Sequence, residues 1–123
     1  MDKVFVDANY FIGLVNRTPE TEVEILDKYE CFVSALSCHI LFYVNKTKVP
    51  DNKLNSYIDD FNLIELTRDI LHNALQGPTS DLEDNIQLHS AAESESDYFL
   101  TNDEKLLKMK FFGKTKITDS LQR

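Results

Sequence analysis

A chain of 123 residues, 42% hydrophobic and 28% charged, has material for one packed domain spanning 1–123 without disulfides or structural zinc. No apolar run approaches the roughly 20 residues that span a bilayer, and the start, Met1-Asp2-Lys3, lacks the form of a secretory signal, so a cytoplasmic protein without membrane contact is expected. The net charge of −8 disfavours nucleic acid for the chain as a whole, yet residues 105–116 hold five lysines and no acid, so the remainder carries −13.

In chain order, "KVFV" (3–6) reads as a buried strand, with a helix from about residue 8. Thr18-Pro19 has the form of an N-cap and first helical position, opening a helix to about Tyr29. "CFVSA" (31–35) is a second strand and 36–46 an apolar helix. Pro50-Asp51 opens a helix with Leu54 and Ile58 on one face, and "FNLIELT" (61–67) alternates as a third strand. A helix over 68–76 ends at Gly77-Pro78. "SDLE" (80–83) is a capping box, Ser80 with Glu83, starting a helix to about Ser94. "DYFLT" (97–101) is a fourth strand, "TNDE" (101–104) a second capping box before KLLKMK, and "TKIT" (115–118) a last strand.

Strands alternating with helices predict an α/β protein, a mostly parallel sheet covered on both faces. Ligands of such sheets bind beyond the carboxyl ends of the strands. Asp7 and the Asn102-Asp103 pair both fall there, whereas Asp97 falls at the opposite end and reads as structural. Asp81 and Asp84, three apart, share a helical face. Carboxylates gathered in one crevice repel, and a hard divalent cation removes that penalty; Mg²⁺ or Mn²⁺ with all-oxygen ligands is the expected cofactor, and phosphodiester hydrolysis the expected chemistry. Capping also suits Asp7, Asp81 and Asp103, and accounts for Ser80 and Glu83; Asp84 lies deeper in its helix. Cys31 and Cys38 lack a partner set for zinc and read as reduced, buried thiols. His39, His72 and His89 form no nucleophilic constellation.

The segments "VFVDANYFIGLV", "VSALSCHILFYV", "DLEDNIQLHSAAESESDYFLTND" and "KLLK" together resemble the PIN-domain family, particularly the VapC-like toxin nucleases, from residue 3 to about 118. The resemblance implies a three-layer α/β/α fold and a Mg²⁺- or Mn²⁺-dependent endoribonuclease. Asp7, Asp84 and Asp103 match the family's metal-binding acids, with Asp81 extending the cluster; Asn9, Ser34, Ser37 and Thr101 match supporting polar residues, and Asn102 is their neighbour. It also implies a homodimer and an antitoxin protein that blocks the crevice, with the helical faces around Phe42-Tyr43 and Ile58 available to such partners. Lys105, Lys108, Lys46 and Lys48 are candidate contacts to an RNA substrate. One departure matters. Where the family carries the glutamate of a T-x-x-E segment, Ser37-Cys38-His39-Ile40 has isoleucine, which points to weakened activity. The alternative is a degenerate PIN-like module that binds RNA or protein without cleaving. A signalling receiver domain is disfavoured, because strand one supplies a single acid and strand three ends in Thr67-Arg68.

Overall fold

The structure, a computed structural model, describes residues 1–17 and 27–121. Its strands are β1 (Lys3–Val6), β2 (Glu30–Ser34), β3 (Asn62–Ile64), β4 (Tyr98–Leu100), β5 (Phe111–Phe112) and β6 (Thr115–Thr118). Its described helices are α1 (Ala8–Arg17), α2 (Ala35–Val44), α3 (Asn52–Ile58), α4 (Arg68–Gln76), α5 (Leu82–Glu93) and α6 (Glu104–Met109).

All strands join one sheet in the order β3-β2-β1-β4-β6-β5, parallel except for the β5–β6 pair. Strands buried on both faces read as unbroken apolar runs, and Val4, Phe5 and Val6 are all fully buried. Val4, Val6 and Leu100 turn to one face, where they meet Phe11 and Leu14 of α1 and Cys38 and Leu41 of α2. Phe5 and Phe99 turn to the other, stacked at 5.6 Å, and meet Leu88 and Ala91 of α5 and Leu106 of α6. Helices on both faces give the expected three layers. Ile70 and Ala74 of α4 pack on Ile86 of α5 in a smaller third cluster.

The chain steps outward from β1 to β2 and β3, then returns to lay β4 on the other side of β1. That reversal opens a crevice at the carboxyl ends of β1 and β4. Val6 pairs with Leu100, so the next residues, Asp7 and Thr101, lie side by side. The Asp7 amide extends the ladder with a bond to the Leu100 carbonyl at 2.9 Å. At the far end Asp97 accepts a bond from the Lys3 amide at 2.8 Å, the structural role its position implied.

Several expectations shift. The helix from Thr18 lies mostly outside the described residues, and 27–29 form a turn rather than its end. β3 is three residues long, and Thr67, expected inside it, instead caps α4. α5 is capped by Asp81, not Ser80. Asn85 sets that frame: its amide donates to the Ala74 and Thr79 carbonyls and accepts from the Thr79 amide and hydroxyl, pinning the loop before α5. α6 is likewise capped by Asp103 rather than Thr101. β5 was not expected; its hairpin with β6 turns on Gly113 at φ +60°, a conformation that favours glycine at the first turn position. Cys31 and Cys38 are buried thiols with no disulfide between them, and burial first, then Asp27, pushes the Cys31 thiol up to about 12.

Candidate active site

Thr101 is the joint of the crevice. Its hydroxyl, 1% exposed, donates to Asp7 Oδ2 at 2.7 Å and accepts the Asp103 amide at 3.0 Å, so one side chain fixes two acidic segments. Asp7 Oδ1 accepts the Ala8 amide at 2.9 Å, while the Asp7 carbonyl accepts from Phe11 and starts α1. The carboxylate is buried in the sheet's edge. Burial raises its pKa, the Thr101 and Ala8 bonds oppose that, and the charges of Asp103 and Glu83 add to the rise.

Asp103 stands half-buried at the start of α6, and its Oδ1 accepts the Lys105 and Leu106 amides at 2.8 and 3.4 Å. Asp84, also half-buried, comes from the first turn of α5. Its pKa is pushed up to about 6 by burial first, then by the charges of Asp81, Asp103, Asp7 and Glu83. The three acids singled out in the sequence therefore share one electrostatic field. Asp81 Oδ1 accepts the Asp84 amide at 3.0 Å, so that acid spends an oxygen on capping. Among the described residues, no group of three or more His, Cys, Asp or Glu side chains is arranged to hold a metal ion. The donor chemistry fits a hard divalent cation, but a ligand set closed by protein alone is not formed, and Mg²⁺ characteristically keeps several waters.

Behind the acids, Ser34 and Ser37 are buried at the start of α2, 3.0 Å apart. Both approach Gln87 Oε1, at 3.3 and 3.2 Å, and Gln87 is one turn beyond Asp84 on α5. Gln87 was not among the candidate site residues read from the sequence. Its Nε2 is buried without a hydrogen-bond partner among the described residues. Glu83 was also passed over, assigned to a capping box; with Asp81 as the cap it is an exposed acid whose field reaches Asp7 and Asp84.

Asn9 and Asn102 are exposed beside Asp7 and Asp103. Lys105 and Lys108 are exposed on α6, which starts at the crevice. Lys46 and Lys48 are not brought to it: they follow the far end of α2, whose ten residues rise about 15 Å from Ser34. Ile40 is half-buried one turn past Ser37, and His39 is exposed, about 100° around the helix from it.

The chain matches no protein-family model and no curated protein sequence. Solved structures do match. A chain of a toxin-antitoxin complex from Klebsiella pneumoniae superposes with TM-score 0.68 at 19% identity, covering 83% of this chain and 88% of that one. A chain of VapBC2 from Rickettsia felis, solved bound to a DNA fragment from its promoter, gives 0.67 at 14%, covering 94% and 97%. The fold is PIN-like. A chain of FitAcB from Neisseria gonorrhoeae gives 0.59 at 16%, covering 81% and 87%. In this PIN-like frame the crevice between β1 and β4 carries the acids, and no described helix is long and apolar enough to cross a membrane.

Proposed function

We propose that the chain is a Mg²⁺- or Mn²⁺-dependent endoribonuclease of the VapC-like toxin type. The observation that carries this is the Thr101 hydroxyl joining Asp7 to the Asp103 segment at the sheet's topological reversal, with Asp84 in the same field. Asp7, Asp84 and Asp103 would hold the cation, with water completing its shell. When bound, the cation supplies Lewis-acid polarisation of an RNA phosphodiester. Asp7 is locked by two hydrogen bonds and orients the site. Asp84 or Asp103 would accept the proton of an attacking water. Lys105 and Lys108 would meet the flanking phosphates.

The test is RNA cleavage by purified protein with Mn²⁺, with and without chelator, beside Asp7→Asn. Cleavage confined to wild type with Mn²⁺ is expected. Cleavage that survives Asp7→Asn or chelation overturns the assignment. Ile40→Glu restores an acid on α2 and is expected to raise the rate sharply. RNA binding with no cleavage by either protein selects the non-cleaving module instead.

The similar structures are toxin-antitoxin complexes, which supports an antitoxin partner and a soluble setting such as the cytoplasm. The surface available to an antitoxin or a second copy is a groove of about 240 Å³ lined by Phe42, Leu54 and Ile58. Val49 is 90% exposed in the same groove, and Tyr43, next to Phe42 on α2, is 79% exposed.

A further inference from the structure

We infer that the β5–β6 hairpin is a platform for single-stranded RNA, its lysines meeting phosphates and Phe111 stacking under an unpaired base. The inference rests on the ribonuclease assignment for its choice of RNA. Two adjacent phenylalanines take opposite roles. Phe112 packs inward against the cluster of Phe5, Leu88 and Phe99, with its ring edge-on to His89 at 5.0 Å, and so anchors the hairpin. Phe111, by strand alternation, turns to the other face and is 55% exposed. It lies directly opposite Lys116 in the antiparallel register, so ring and ammonium share a face.

Lys108, Lys110, Lys114 and Lys116 are all exposed, on the hairpin and on the helix that leads into it. They belong to the five-lysine strip of a chain whose remainder is strongly acidic. An aromatic face set among lysines is the combination that holds single strands, since every base can stack and every phosphate can be neutralised. An acidic polypeptide would answer the charge but has no need of the ring. By register Lys116 and Phe111 are level with Tyr98 at the start of β4, so the hairpin lies on the sheet edge toward the end away from the crevice, and α6, about 9 Å long, runs between Asp103 and Lys110.

Binding of a fluorescent single-stranded oligouridine is measured by anisotropy in chelator, across a salt series. Four engaged lysines predict a slope of log K against log salt of about −3. Lys114→Ala/Lys116→Ala is expected to lower its magnitude by about 1.4. Phe111→Ala is expected to weaken binding about tenfold with the slope unchanged, Phe111→Tyr to bind like wild type, and Phe111→Leu to fail like alanine. Thermal unfolding of each variant checks that the hairpin is intact, as exposure of these side chains leads one to expect. Indifference to Phe111→Ala, equal affinity for duplex RNA, or equal competition by polyglutamate overturns the platform. Loss of Mn²⁺-dependent cleavage with binding intact would instead overturn the nuclease and leave the platform standing.

Discussion

Thr101→Val removes the hydroxyl that joins the crevice while preserving shape. Two bonds go: a charge-assisted one to buried Asp7 at 2.7 Å and the acceptor for the Asp103 amide at 3.0 Å. The first is worth about 1.5–3 kcal/mol and the second about 1 kcal/mol, so a loss of about 3 kcal/mol at pH 7 is expected. For 123 residues that lowers Tm by about 10 °C. The pH dependence has a definite sign. Burial makes the folded state hold the Asp7 proton more tightly than the unfolded chain does, so ionised Asp7 costs stability. That cost is absent below the unfolded pKa and complete above the folded one. The Thr101 bond offsets part of it, so the variant's deficit narrows as pH falls through the raised folded pKa. Urea unfolding of both proteins at pH 7 and pH 4 measures this. A deficit below about 1 kcal/mol, or one equal at both pH values, would show that Thr101 does not support an ionised Asp7.

Asp84→Asn relieves a raised acid. In metal-free protein the penalty grows as pH rises from about 4 to about 6 and is complete above, amounting after solvent screening to about 1 kcal/mol. The variant is therefore expected to be more stable by about that much at pH 7 and equal at pH 4 by urea unfolding, while Mn²⁺-dependent cleavage is lost. At Asp103 the cap and the chemistry separate: Asp103→Asn keeps the cap and stays within a few tenths of a kcal/mol of wild type, whereas Asp103→Ala loses about 1 kcal/mol. Both are expected to lose cleavage, and thermal melts alongside the nuclease assay compare them.

The sheet was legible because parallel strands buried on both faces leave continuous runs such as Val4-Phe5-Val6, and the acids at 7 and 103 follow such runs directly. β3 was less so. Its alternation promised seven residues, but as an edge strand with Asn62 and Leu63 exposed it has little burial to hold it, and Thr67 gains more by capping α4. The capping boxes misled by the same physics. Ser80 and Thr101 have the right spacing to a glutamate, yet an aspartate in each segment outcompetes them, since an ionised oxygen makes the stronger bond to helix amides. Freed from capping, Thr101 became the residue that organises the site.

Gln87 was the least legible, because its role depends on two residues about fifty positions earlier. Ser34 and Ser37 bring two hydroxyl protons to three oxygen contacts, among themselves and with Gln87 Oε1, so one contact always lacks a proton. Meanwhile Nε2 offers two protons to no described acceptor. Leaving such a donor buried and unpaired costs about 1–3 kcal/mol, which apolar residues of the same volume would avoid. The polar group reaching this end of α2, one turn before Ile40, is thus a neutral amide from α5. An amide can donate and orient, but it adds no negative charge. The acids proposed for the cation stay Asp7, Asp84 and Asp103, and the effect of Ile40→Glu measures directly what a fourth charge is worth in this fold.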